Sequence, residues 1–363
     1  MTRVRLRIIA LAIVAVATLL GGLFAASAVL GFGPLSFQDS LRYERYAHTA
    51  TVLLGGRVLI VGGFPGSGVA WLSSRQGLIY DPATGSISAT PGVPGSFYGH
   101  SALLLHDGRV MLIGSAAVGY RRPAMYDPSS VRWTTTSDSV VHRTSSYHGT
   151  VLADGSVLVV GGGDSAVADR PGYLSAERYD PGAGRWQGGE PVDTGGLPVL
   201  GLVTLSGGQV LGVFGTQARL FDPSQATWSS AGSLSDDHLQ ALVSLSDNRA
   251  LAIVRTADTR FIGKVYDGAR NSWTATAPFS RVGFSPVSVT ATILADGRVL
   301  ATGGSGPYGI VITPGVSPTN RPTNASYIFD PATLRWSAAP IRRLSRAGHA
   351  NHRPAAKRPP SLL

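Results

Sequence analysis

Apolar residues in this chain come in short runs, arranged in pairs around glycine-containing turns. Thr49 to Leu54 is followed by Gly55-Gly56, then Arg57 to Val61, then Gly62-Gly63. Thr150 to Ala153 is followed by Asp154-Gly155, Val157 to Val160 and Gly161-Gly162. Thr290 to Ala295 is followed by Asp296-Gly297, Val299 to Thr302 and Gly303-Gly304. Runs this short and rich in β-branched residues predict strands. Asp-Gly between them predicts a tight hairpin, because primed turns need positive φ. Each pair is followed by a segment ending in Tyr-Asp or Phe-Asp and then by one holding a tryptophan. These supply a third and a fourth strand. Proline after the aspartate fixes φ and cannot donate to a ladder, so the link between them is a turn.

The aspartate signature recurs six times, at Tyr80-Asp81, Tyr126-Asp127, Tyr179-Asp180, Phe221-Asp222, Tyr266-Asp267 and Phe329-Asp330. Five copies carry a tryptophan downstream: Trp133, Trp186, Trp228, Trp273 and Trp336; the first has Ile87 instead. The spacing is about 50 residues, a period that marks kelch-type repeats. Four strands per unit, repeated radially, form a β-propeller blade. At these residues the chain resembles the kelch-repeat, galactose oxidase-like propellers, from Tyr46 to Trp336. The expectation is an all-β fold: six four-stranded blades, with seven possible, behind one N-terminal transmembrane or signal helix. The repeated aromatic rings are read as packing between blades. The double glycine becomes Gly114-Ser115, Phe214-Gly215 and Val254-Arg255 in the second, fourth and fifth repeats, and Asp267 precedes glycine. Those blades are expected to be less regular.

The ends differ from the repeats. Arg3, Arg5 and Arg7 precede an uncharged apolar stretch from Ile8 to about Leu30, long enough to span a bilayer. Arginines on its N-terminal side predict a single-pass anchor at the cell membrane with the propeller outside the cytoplasm. The rival is a secreted protein cleaved near Ala28, after a signal peptide. The domain reading is 1–33 anchor or signal, 34–45 linker, 46–340 propeller and 341–363 basic disordered tail. The net charge of +10 sits at these ends, in the three N-terminal arginines and in Arg342, Arg343, Arg346, Arg353, Lys357 and Arg358. The repeats are close to neutral, which argues against nucleic acid as a partner. Charged residues make up 14% of the chain, against about 25% in typical domains, in keeping with a strand-and-turn protein. Its lysine-poor, arginine-rich composition reads as bacterial.

Alternate connections in an antiparallel blade fall on opposite faces. The first-to-second and third-to-fourth turns are tight and share one face. The others are long and share the opposite face, where binding residues are expected. That face holds Trp71, Tyr120 and Arg121, aromatics mixed with charge that suit a sugar or peptide. His48, His100 and His148 open first strands beside it, and Arg346-Ala-Gly-His349 echoes Arg45-Tyr-Ala-His48. Tyr147-His148 resembles the strand that carries a tyrosine and a histidine copper ligand in galactose oxidase-like enzymes. Those enzymes build their radical from a tyrosine cross-linked to cysteine, and this chain has no cysteine. No cofactor or metal is therefore expected.

There is no HExxH, GxSxG, Walker A or dinucleotide fingerprint. The repeated aspartates are read as turn-forming, so no catalytic residue is assigned. The resulting expectation is a monomeric kelch-repeat module binding glycan or protein through His48, His100, Tyr147, His148, Tyr120, Arg121 and Trp71. The alternative is a galactose oxidase-like enzyme or metal-binding derivative without the Tyr-Cys radical. The first and last repeats each hold a complete strand set, so full strand exchange at ring closure is not expected.

Overall fold

The computed structural model describes residues 45–65, 75, 77–97, 100–114, 122–139, 147–161, 173–235, 237–258, 260–279, 289–303 and 326–339. These residues form six four-stranded antiparallel sheets, each from four consecutive strands. Blade 1 is β1 (Arg45–Val52), β2 (Val58–Pro65), β3 (Gly77–Asp81) and β4 (Ser86–Ala89). Blade 2 is β5 (Ser101–Leu104), β6 (Val110–Ile113), β7 (Ala124–Asp127) and β8 (Arg132–Thr135). Blade 3 is β9 (Tyr147–Val151), β10 (Val157–Gly161), β11 (Tyr173–Asp180) and β12 (Arg185–Asp193). Blade 4 is β13 (Val199–Thr204), β14 (Val210–Phe214), β15 (Gln217–Asp222) and β16 (Thr227–Ser233). Blade 5 is β17 (His238–Ser244), β18 (Arg249–Arg255), β19 (Phe261–Asp267) and β20 (Ser272–Ala275). Blade 6 is β21 (Val289–Ile293), β22 (Val299–Gly303), β23 (Ser326–Asp330) and β24 (Arg335–Ala338). No helix among the described residues is long and apolar enough to cross a membrane. The N-terminal anchor and the basic tail lie outside the described residues.

The blades pack in chain order, through their first strands and through apolar faces. β1 lies against β5, β5 against β9, β9 against β13, β13 against β17, and β17 against β21. The face bearing the repeat tyrosine or phenylalanine meets the preceding blade. Tyr126 and Trp133 pack on Leu59, Val61 and Ile79. Tyr179 and Trp186 pack on Met111, Ile113 and Met125. Phe329 and Trp336 pack on Leu251, Ile253 and Val265. The paired rings sit 4.8–5.1 Å apart in every tryptophan-bearing blade. Such aromatic pairs contribute roughly 0.5–1.5 kcal/mol beyond their burial.

A hydrogen bond reinforces these interfaces at the outer rim. The indole N–H of Trp133 donates to Thr90 Oγ1 at 3.1 Å, Trp186 to Thr136 at 3.4 Å and Trp336 to Thr276 at 3.1 Å. Trp273 donates instead to the Ala231 carbonyl at 2.7 Å. Each threonine belongs to the preceding blade.

The repeat aspartates cap their own turns. Asp81, Asp127, Asp180, Asp222, Asp267 and Asp330 each accept a backbone N–H from two residues on. The last residue of each of these turns has positive φ: Gly85, Val131, Gly184, Ala226, Asn271 and Leu334. The aspartates are therefore structural.

One expectation is corrected. Blade 2, expected to be irregular, keeps register throughout. Blades 4 and 5 are complete, but their ladders carry register shifts, between Val199 and Gly201 and between Gln217 and Arg219 in blade 4 and between Leu239 and Ala241 in blade 5. Their missing glycines are replaced by short connections: residues 215–216 join β14 to β15, and 256–260 join β18 to β19. A strand that turns at once needs no glycine pair to release a long loop. Gly215 keeps one role of the pair, since its N–H donates to the Pro198 carbonyl at 2.9 Å.

Candidate functional site

The turns on one face are uniformly tight. On the other, residues 66–76, 114–123, 162–172 and 304–325 join second strands to third in blades 1, 2, 3 and 6. Long connections therefore leave blades 1, 2, 3 and 6 on this face, and short ones leave blades 4 and 5.

At this end of blade 1 the backbone shapes the surroundings of one histidine. Gly63 N–H donates to the Phe97 carbonyl at 2.8 Å. A Cβ on Gly62, whose φ is +71°, would stand 2.2 Å from that oxygen and 3.0 Å from His100 Cε1. Only glycine lets the incoming chain lie this close. The chain then delivers His100 into the boundary between blades 1 and 2. His100 Nε2 and Thr49 Oγ1 are 2.7 Å apart, and the Phe97 ring meets the imidazole edge-on at 5.4 Å.

His100 is 7% exposed. Its Nδ1 is buried with no hydrogen-bond partner. Burial, with the nearby His48 second, lowers its pKa to about 4, so it is neutral at physiological pH. A neutral imidazole keeps one donor and one acceptor, and one of them is unused here. Leaving such a group buried costs about 1–3 kcal/mol.

Tyr147 comes to the same place from blade 3. A Cβ on Gly114 would stand 3.2 Å from His100 Cβ and 3.3 Å from the Tyr147 hydroxyl. Gly114 thus brings the two residues against one another's surroundings. His148 is oriented differently. It pairs with Val160, which packs toward blade 4, while its neighbour Gly149 faces Ile113 and Leu103 of blade 2. Strand alternation therefore separates His148 from His100 and Tyr147. Burial lowers its pKa too. His48 is exposed on β1. Trp71, Tyr120 and Arg121 lie outside the described residues. The structure adds Thr49, Phe97 and Gly114, which sequence reasoning missed. The glycine pair hinted at the first contact, but nothing in the sequence marked Thr49.

On the opposite face, a cleft of about 510 Å³ between blades 2 and 3 is lined by His106, Asp107, Asp154, Arg178, Asp180 and Gln187 among others. Its charges satisfy each other. Arg178 pairs with Asp154, and Arg109 binds Asp107 at 2.6 Å and the Pro181 carbonyl at 3.2 Å.

No protein-family profile matches this chain, and no curated protein matches its sequence. Its fold is found among solved structures. A fungal alcohol oxidase of the AA5 family, solved in complex with copper, superposes with a TM-score of 0.59 at 17% identity. The match covers 82% of this chain and 66% of the oxidase chain, so this chain spans somewhat less than two thirds of that protein. The likeness is one of fold.

Proposed function

We propose that this protein is an exported, membrane-anchored propeller that binds a glycan or a protein segment on its long-loop face. The observation that carries the reading is the buried, unsatisfied His100 Nδ1, in a residue that shares the surroundings of Gly114 with the Tyr147 hydroxyl, at the end of the blades from which the long connections leave. Buried polar groups are nearly always hydrogen-bonded. One left open at this end of the blades suits a ligand hydroxyl or amide, which neutral imidazole can meet as donor or acceptor. The apolar stretch from Ile8 to Leu30 behind Arg3, Arg5 and Arg7 supports anchoring with the propeller outside the cytoplasm.

A copper oxidase reading is less well supported. Without cysteine no tyrosine-cysteine cross-link can form. Among the described residues, no three histidine or acidic side chains converge on one point, and His148 faces away from His100. The residues present do not fit the group held by the AA5 oxidase.

The test is a glycan array and a peptide library probed with the detergent-purified protein. His100→Ala and Tyr147→Phe are expected to weaken any hit about tenfold or more, the loss of one or two hydrogen bonds. Unchanged binding with earlier melting would reduce both residues to packing roles.

A further inference from the structure

We propose that the long-connection face of the propeller is held toward an anionic phospholipid surface. This inference rests on the anchored reading above and adds the direction in which the propeller points.

Strand direction decides which face the chain ends share. The turn from β1 to β2, residues 53–57, is tight, so β1 begins with Arg45 at the opposite end, among the long connections. The turn from β23 to β24, residues 331–334, is also tight, so β24 ends with Ala338 at the same end as Arg45. Every blade has four consecutive strands. The chain therefore enters and leaves the described propeller on one face.

Length then limits how that face can sit. Residues 31–44 separate the apolar stretch ending at Leu30 from β1. Fully extended, a segment of this length reaches about 50 Å at most. β1 is a first strand, and first strands pack against one another from blade to blade on the inner side of the ring. A chain bound from there to the opposite face has to cross its blade, about 14 Å over three strand spacings, and then descend the blade's height. β1 has 8 residues, a height of about 26 Å. That detour uses most of the reach. With the long-connection face toward the bilayer no detour is needed.

Charge supplies the second argument. The chain beyond Ala339 carries Arg342, Arg343, Arg346, Arg353, Lys357 and Arg358 with no acid among them. It leaves from β24, an outer strand, and so from the rim of this same face. On the tight-turn face, by contrast, Arg109, Arg270 and Arg298 are paired with Asp107, Asp267 and Asp296 at 2.5–2.6 Å. Cations within a Debye length of a bilayer, about 8 Å at physiological salt, are drawn to anionic headgroups. The anchor sets the side, and the six cations draw the face toward the lipid. His100 and Tyr147 belong to this end of the blades, so their ligand is met in the space next to the membrane.

The absence of cysteine lets one dye be placed at a time on the full-length protein in preformed vesicles. Gln217→Cys marks the start of β15 on the long-connection face, and Gln225→Cys marks the tight turn that follows β15; both positions are exposed. The two ends of β15 stand about 20 Å apart. Energy transfer to acceptor-labelled lipid, in vesicles of phosphatidylcholine and phosphatidylglycerol, should be at least about twofold stronger from position 217. Replacing the six basic residues by glutamine should lower that transfer about twofold, as should vesicles of phosphatidylcholine alone. Equal transfer from both positions, or stronger transfer from 225, would overturn the proposal while leaving the anchor in place. Transfer from 217 that ignores both the substitutions and the lipid charge would overturn the anionic contact. Protein that fails to float with the vesicles after a high-salt wash would overturn the anchored reading, and this inference with it.

Discussion

Thr49 Oγ1 and His100 Nε2 meet at 2.7 Å across the boundary between blades 1 and 2. This bond ties β1 of blade 1 to the histidine of the candidate site. Fold stability and the candidate site therefore share one contact.

That contact should titrate. The His100 pKa falls from 6.5 to about 4 on folding, because burial and then His48 oppose its charge. Between those values the unfolded chain binds more protons, so stability rises with pH across the window. The contribution is complete above about pH 6.5 and is lost as pH falls through 4. It amounts to roughly 3 kcal/mol at most. His148, lowered in the same direction by burial, adds to the slope. Chemical unfolding between pH 4 and 7 should show stability rising with pH, and His100→Gln should flatten much of the rise. A wild-type slope retained in that variant would move the effect elsewhere.

The rim threonines are predicted to hold more than their size suggests. Thr276 Oγ1 accepts from Trp336 at 3.1 Å and from the Gly263 N–H at 2.9 Å, and donates to the Ala277 carbonyl at 3.0 Å. Thr276→Val keeps the shape and strands these partners. It should cost about 1–3 kcal/mol. Thr274→Val, exposed on β20 just before it, should change stability by less than about 0.5 kcal/mol. Equal costs at the two positions would show that the Trp336 bond adds nothing.

Val131, like Ala226 and Leu334, carries strain that the glycine and asparagine equivalents avoid. It sits at φ 54°, where Gly85, Gly184 and Asn271 occupy the matching turns, and it is 45% exposed. The left-handed region costs an L-residue roughly 1–2 kcal/mol, least for glycine and asparagine. Val131→Asn should therefore stabilise by about 0.5–1 kcal/mol, and Val131→Gly by somewhat less because glycine enlarges the unfolded ensemble. A lower melting temperature in both variants would show that the valine side chain is stabilising.

The blade architecture was legible because one aromatic and one aspartate recur at the same strand position. Tyr126, Tyr179 and Tyr266 fill the same wedge, so the repeat is a direct trace of the packing. The site was less legible. His100, Thr49 and Tyr147 come from three blades, and only the register of their strands decides which face each side chain takes. That register separates His148 from Tyr147 although they are adjacent in sequence. In the fourth and fifth repeats the missing glycines report short links between second and third strands, together with register shifts in those blades. The second repeat keeps a long link and regular ladders.

The ring should open first between blades 6 and 1. Every other boundary joins an apolar cluster to an aromatic face, and four show an indole hydrogen bond. At this boundary Ile87 and Ala339 replace the donor and the acceptor, and Val52 stands 54% exposed. Among the described residues nothing replaces the rim bond at this boundary. Local opening requires less free energy where fewer buried contacts must break. Backbone amides of β2, β3, β22 and β23 should therefore exchange faster than those of β10, β11, β14 and β15, which lie in blades sealed on both sides. Hydrogen–deuterium exchange followed by mass spectrometry resolves these segments. Uniform protection around the ring would mean that blades 6 and 1 are joined as firmly as the rest, and the account of this boundary would fail.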